Sequence, residues 1–324
     1  MKSLITGGAG FIGSHLAGRL LDDGHEVIVL DNLSTGSSKN LSSIKGRKGF
    51  ELVIGSVRNQ SLVIELMEQC DIAIHLAAAV GVKRVLERPS HSIHTNVNGT
   101  ENVLHAAATQ KKLVFVASSS EVYGKSVQPS FDETHDLILG STANLRWSYA
   151  IAKALDECLA LAYNQENRVP VIIGRLFNTT GPRQIARYGM VLPGFVTQAL
   201  QDQPITVYGT GEQSRCFAHV YDIVESIIRL IEKPEAVGQV FNIGNDEEIS
   251  INGLAEFVKT ATGSQSEIQK IAYDDAYSAG FEEMQRRKPS LSKLERYIGY
   301  RPKTPLSKIV DDVIADKRAT LNLP

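Results

Sequence analysis

Cysteine is scarce in this chain of 324 residues. Cys70, Cys158 and Cys216 are scattered, odd in number and form no CxxC pair. That spacing excludes a disulfide framework, and it points to a reducing cytoplasm. No metal site is expected. An excess of charge of one sign is lacking too: 34 basic and 36 acidic residues leave a formal net charge of -2, which argues against nucleic acid or an anionic membrane as partner. No apolar run is long enough to span a bilayer. Residues 1–13 pass from Met-Lys straight into a strand and a glycine turn, without the cationic and apolar zones of a secretory signal. Repeats, low-complexity tracts and linkers are missing as well. What remains is an ordinary soluble composition, 43% hydrophobic and 22% charged, in a chain long enough for two packed lobes.

The first pattern present is a strand, Ser3–Thr6, followed at once by GGAGFIG. Gly7, Gly10 and Gly13 permit a tight turn, close approach of backbone to a pyrophosphate and close packing of the next helix. That helix, about Phe11 to Asp23, offers its N-terminal amides to phosphates. The next strand, EVIVLDN, closes on Asp31, 18 positions after Gly13. A carboxylate at that spacing suits the adenosine ribose hydroxyls and repels a 2′-phosphate, so NAD is expected rather than NADP.

Strand and helix patterns keep alternating through FELVIGSV, Gln60–Gln69, DIAIHLAA, Ile93–Thr109, the run Leu113–Tyr123 and VPVIIGRLFN. The expected fold class is therefore α/β, a doubly wound parallel sheet of Rossmann type. After Gly174 the regularity loosens into Gly- and Arg-bearing loops, GPRQIARYGM and YGTGEQSRCF. The reading is a dinucleotide-binding domain over 1–174, rejoined by the chain at about 217–243, and a smaller C-terminal α/β lobe over 175–324 that takes the substrate.

In LVFVASSSEVY, Leu113 to Tyr123, the first half is an apolar run that suits a buried strand, and Ser118, Ser119, Ser120 and Glu121 follow just past its carboxyl end, at the edge where open α/β sheets bind ligands. In YAIAK, Tyr149 and Lys153 stand four apart, on one face of a helix. An ammonium beside a phenol stabilises the phenolate. Bringing the phenol from about 10 to near neutrality takes roughly three units, on the order of 4 kcal/mol. Tyr149 and Lys153 are thus the candidate catalytic pair, with Ser119 and Ser120 orienting the same oxygen. His75 is expected to pack near the adenosine, and Trp147 and Tyr163 to serve packing. The face Ala154, Leu155, Cys158, Leu161 and Ala162 reads as core or as a dimer-forming surface.

With GGAGFIG, Asp31, HLAA at His75, SSSEVYG and YAIAK together, the chain resembles the extended short-chain dehydrogenases/reductases, NAD-dependent epimerases, dehydratases and decarboxylases of nucleotide sugars. The likeness covers essentially the whole length. RLFNTTGPR at Arg175–Arg183 is similar to the family's RxFNxYGPR, with Thr180 in place of Tyr, and ITVYGTGEQSRCF to its nucleotide-binding segment. The resemblance implies a UDP-sugar substrate, with Asn178 and Arg215 on the diphosphate and Tyr208 near the uracil. It implies a cofactor site that includes Phe11, Ile12, Asn32, Leu76 and Ala77 beside the glycines, Asp31, Tyr149 and Lys153. It also implies a homodimer.

Glu121 resembles the residue of dehydratases and UDP-glucuronic acid decarboxylases at a position usually small or neutral in 4-epimerases. GFEEMQRRKPSLSK is similar to a C-terminal segment whose Arg meets the substrate carboxylate, here Arg287, with Arg286 as its understudy. Ser56 stands where the family often has Asp near the adenine, and Ser119 replaces a common Thr. The implied activity is oxidation of a UDP-hexuronic acid at carbon 4 followed by loss of carbon dioxide. A UDP-sugar 4-epimerase uses the same Tyr149, Lys153 and NAD. A non-catalytic NAD-sensing protein of the same fold would ordinarily lack the Tyr–Lys pair.

Overall fold

Apolar strands with little polar alternation must be covered on both faces. The computed structural model describes residues 1–186, 190–276, 282 and 284–323, without the side chains at 82–84, 274 and 276. Its first elements are β1 (Lys2–Thr6), α1 (Phe11–Asp22), β2 (Glu26–Asp31), β3 (Phe50–Ile54), α2 (Gln60–Glu68), β4 (Ile72–His75), α3 (Val82–Glu87), α4 (Pro89–Ala108), β5 (Leu113–Ser119), α5 (Ser148–Asn167) and β6 (Val171–Leu176). There follow β7 (Thr179–Thr180), α6 (Val191–Leu200), β8 (Ile205–Tyr208), β9 (Ser214–Cys216), β10 (Ala218–His219), α7 (Val220–Ile231) and β11 (Gln239–Ile243). The chain ends with β12 (Glu248–Ser250), α8 (Ile251–Thr262), β13 (Ile268–Ile271), α9 (Tyr273–Ala276), β14 (Arg286–Arg287), α10 (Ser292–Ile298) and α11 (Leu306–Leu321).

Seven strands make one parallel sheet in the order β11-β6-β5-β4-β1-β2-β3. The winding direction reverses between β1 and β4, so the loops leaving those strands diverge and open a crevice at their carboxyl ends. Because side chains alternate along a strand, each strand feeds both layers. Ile5, Val29, Ile74 and Phe115 meet α1 and α7 through Leu16, Leu20, Ile223 and Ile227 on one face. Leu4, Ile28, Val114 and Ile173 meet α2, α4 and α5 through Leu66, Val103, Leu104 and Ala160 on the other. A separate apolar cluster ties α6, α8 and α11 to β8 through Phe195, Leu254, Val310 and Val207. There β8 pairs with β13, while β9 lies between β12 and β14.

Local chemistry adjusts the expected boundaries. The strand from Leu113 reaches into the serines and stops at Ser119, because the Ser119 hydroxyl accepts from Glu121 N at 3.2 Å and caps a 3-10 turn over Ser120–Tyr123. Helix α4 starts at Pro89, not Ile93, as proline suits a first helical turn. Helix α3 was not among the expected elements. No helix among the described residues is long and apolar enough to cross a membrane.

Helix α5 turns ionisable groups inward. Lys153, Asp156 and Glu157 are 2%, 0% and 4% exposed. Glu157 accepts two bonds from Arg175, at 2.9 and 2.8 Å, and one from the Ser118 hydroxyl at 2.5 Å. Removing one partner of such a pair strands the other charge in the core. Glu157→Ala is therefore expected to destabilise the fold by about 3–5 kcal/mol, read as a lower urea midpoint.

Candidate active site

Two cavities open at the carboxyl edge of the sheet. The smaller, about 330 Å³, is lined by Gly7, Gly10, Phe11, Ile12, Gly13, Asp31, Asn32, Leu76, Ala77 and Lys153. The larger, about 570 Å³, is lined by Ser119, Ser120, Glu121, Arg146, Asn178, Tyr208, Arg215 and Arg287. Tyr149, Ser119, Asn178 and Gln184 face both, so the phenol stands where the two meet.

The smaller cavity has the shape that a dinucleotide needs. Gly7 has φ +71, and a Cβ there would lie 2.8 Å from Ala77 N; one on Gly13 would lie 2.5 Å from Gly7 O. Only bare backbone allows this cradle at the start of α1. Asp31 is held in place by Ala9 N at 3.0 Å and Leu33 N at 2.8 Å. Burial raises its carboxyl above the ordinary value, and these two donors act against that shift. The Thr95 hydroxyl, buried on the cavity wall, has no hydrogen-bond partner among the described residues. A cradle without Cβ atoms, a carboxylate and an unpaired hydroxyl fit an adenine dinucleotide whose ribose hydroxyls are free. His75 is packed, as expected, and does not itself line this cavity. It is fully buried between the Thr6 and Thr100 hydroxyls, at 2.7 and 3.1 Å, and burial lowers its pKa to about 3. The Ser56 hydroxyl accepts from Arg58 N at 3.2 Å.

The catalytic candidates converge, though not as the spacing suggested. Lys153 Nζ donates to Ala117 O at 3.0 Å and to Asp156 at 2.9 Å, whereas the phenol's hydrogen-bond partner is Ser119. Burial in the cleft raises the Tyr149 pKa; Lys153 and the Ser119 bond oppose the rise, and Glu121 and Asp156 add to it. Lys153 is the strongest of the groups that favour the phenolate, and desolvation with the two nearby carboxylates works against it. Burial would also lower Lys153, but Asp156, Tyr149 and Glu157 hold it above its ordinary value.

Glu121 is clasped between two guanidiniums, Arg146 and Arg287, each at 2.6 Å. Burial alone would raise its carboxyl; Arg287, Arg146 and Arg215 reverse this and bring it down to about 2. Arg287 on β14 reaches the cavity while Arg286, its neighbour, turns out to Glu248, which separates the two. Arg215 is buried on β9 and donates to Ser214 O at 2.7 Å. Asn178 donates to Cys216 O at 3.0 Å, and Tyr208 is 39% exposed at the cavity wall. Trp147 is packed, its indole donating to Glu282 at 2.7 Å, and Tyr163 lies against the core. Residues 187–189 of the GPRQIARYGM loop and 280, 281 and 283 of the GFEEMQRRKP segment lie outside the described residues. Sequence reasoning missed Arg146, Thr95 and Gln184. Only Arg146 left a trace, three positions before Tyr149 in LRWSY. Among the described residues no group of His, Cys, Asp and Glu could hold a metal ion.

The model of the NAD dependent epimerase/dehydratase family matches residues 3–244. A UDP-N-acetyl-alpha-D-glucosaminuronate decarboxylase of Bacillus cytotoxicus is 42% identical over 302 residues, 93% of this chain and 92% of that protein. UDP-glucuronic acid decarboxylase 1 of Xenopus tropicalis is 36% identical over 97% of this chain and 71% of its own. The crystal structure of a UDP-glucuronic acid 4-epimerase from Bacillus cereus, in complex with UDP-glucuronic acid and NAD, superimposes with a TM-score of 0.89 at 26% identity, over 99% of this chain and 100% of that one.

The Glu121 clasp has a pH signature. Its folded pKa lies below the ordinary 4.5, so its stabilisation is complete above 4.5 and is lost as pH falls towards about 2. Glu121→Gln is expected to lose less stability than the parent across that window, measured as urea midpoints against pH.

Proposed function

The chain belongs to the NAD dependent epimerase/dehydratase family, and we propose that it is a UDP-glucuronic acid decarboxylase. Its cofactor is NAD, held by the glycine cradle and Asp31. The glycine-cradle domain, 1–174 with the return at 217–243, takes the dinucleotide, and the lobe over 175–324 takes the nucleotide sugar.

The single observation behind the decarboxylase reading is the charge of the larger cavity. One carboxylate, Glu121, faces the guanidiniums of Arg146, Arg287 and Arg215. A diphosphate on Arg215 and Asn178, with the base on Tyr208, answers Arg215, while at the clasp Arg146 and Arg287 exceed Glu121 by one positive charge. A neutral sugar would leave the rest unmatched, whereas a hexuronate brings its own carboxylate to Arg287 and Arg146.

Tyr149 removes the proton of the 4-hydroxyl, and Ser119 and Ser120 orient that oxygen. NAD, which the glycine cradle and Asp31 would hold, would supply the acceptor for the hydride of carbon 4 and the donor for its return. Lys153 holds its charge beside Tyr149 and stabilises the phenolate that takes this proton. The 4-ketone turns the substrate into a β-keto acid; the carbon–carboxyl bond breaks, and its electron pair flows into the ketone. Arg287 and Arg146 orient the departing carboxylate. Because Glu121 is held ionised, the proton for carbon 5 comes from a water bound by Glu121.

Mass spectrometry after incubation with UDP-glucuronic acid and NAD is expected to show loss of carbon dioxide and a UDP-pentose or its 4-keto form. An unchanged mass would mark a 4-epimerase, the reading favoured by likeness to the Bacillus cereus enzyme. UDP-N-acetylglucosaminuronic acid belongs in the same assay, given the Bacillus cytotoxicus relative. No turnover of any UDP-sugar would favour an NAD-sensing role. In Glu121→Ala, oxidation is expected to persist while carbon loss falls at least tenfold, roughly 1.4 kcal/mol in barrier.

A homodimer through α5 completes the reading. The inner half of that helix is core, but Leu155 and Leu161 are 46% and 37% exposed beside the exposed Cys158. Neighbouring α4 adds Ile93, 38% exposed. Apolar groups left in water on adjacent helices suit a second copy of the same face. Leu155→Glu with Leu161→Glu is expected to give monomers by light scattering. The free Cys70, Cys158 and Cys216 suit a cytoplasmic location.

A further inference from the structure

Helix α5 carries a third ionisable residue on the stripe that holds Tyr149 and Lys153. Asp156 follows Lys153 by three positions and Tyr149 by seven, so all three side chains line one face. It is 0% exposed, and its Oδ2 accepts from Lys153 Nζ at 2.9 Å. Its Oδ1 has no hydrogen-bond partner among the described residues. The next residue, Glu157, is a contrast: Arg175 and Ser118 fill both of its oxygens. Exposed Lys–Asp pairs at this spacing are ordinary. A buried carboxylate with one oxygen unmet is a costly way to tie a helix down, since desolvation is only partly offset. The geometry therefore asks for a role other than stability.

Resting on the decarboxylase reading above, we propose that Asp156 is a positioning residue: it holds the Lys153 ammonium against the end of β5 and so governs how much of its positive charge the Tyr149 hydroxyl feels. Ala117 O and Asp156 take two of the three ammonium protons, and the third is left for the smaller cavity, which Lys153 lines. The phenol meets an ammonium already partnered by an anion. Other groups share this field. Glu121 reaches it from the turn after β5, and Glu157 from α5 with Arg175 of β6 at its far side. His75 of β4 lies within reach of the lysine charge. Of these, Asp156 alone is hydrogen-bonded to Lys153.

Asp156→Asn keeps the shape and an acceptor for Nζ while deleting the charge. The phenol's ionisation can be followed without substrate, by ultraviolet difference titration of the NAD-loaded protein with Tyr149→Phe as the blank. The midpoint is expected to move about one unit towards acid. The acid limb of kcat/KM for UDP-glucuronic acid should move with it. A midpoint that stays in place or moves towards alkali overturns the proposal, as does a lower melting temperature with both profiles unmoved. If Asp156→Asn does not fold, Asp156→Ser is read by the same titration. A protein that turns over no UDP-sugar refutes the decarboxylase reading, while the titration still decides the role of Asp156.

Discussion

Everything at the site depends on the charges that α5 buries against the ends of β5 and β6. Lys153 is bonded to Ala117 O, and Glu157 to Ser118 and Arg175, so the helix is pinned to the last residues of the two strands. Ions taken out of water are not needed to make a core, and well-packed apolar side chains would often serve as well. What they add is stiffness of position: any slide of the helix would part ion pairs at low dielectric. Tyr149 begins the same helix, so the phenol is fixed relative to the strand that presents Ser119.

A second constraint crosses the cleft. Arg287 on β14, far along the chain, meets Glu121 just beyond β5, while Arg146 closes on the same carboxylate from the turn before α5. The wall of the larger cavity is thus assembled from segments far apart in the chain. Its field is positive because three guanidiniums face one carboxylate. Behind it, α11 steadies the GPR loop. Asp316 accepts from Arg183 N at 3.0 Å, and Lys317 donates at 2.6 Å to the backbone O of Gln184, which itself faces both cavities. Positive charge thus stands both at Arg215 and at the Arg146–Arg287 clasp.

Much of this was legible beforehand. The glycine turn, the acid closing β2 and the βα alternation are local patterns, set by backbone sterics and by side-chain period, and they indicated the sheet and the cradle. The four-residue spacing placed Tyr149 and Lys153 on one stripe. Arg287 was separated from Arg286 only by family resemblance; in the structure the separation is one of strand alternation, which turns one to the cavity and the other to Glu248.

By itself, then, the sequence determined the class of fold, the dinucleotide crevice and the pairing of a phenol with an ammonium, because each depends on neighbours within a few residues. Tertiary structure alone decided the proton affinities and the company each charge keeps. Desolvation and contacts between distant segments outweigh adjacency in a buried site: Lys153 turns to Asp156, Arg146 joins Glu121, and His75 sits between Thr6 and Thr100.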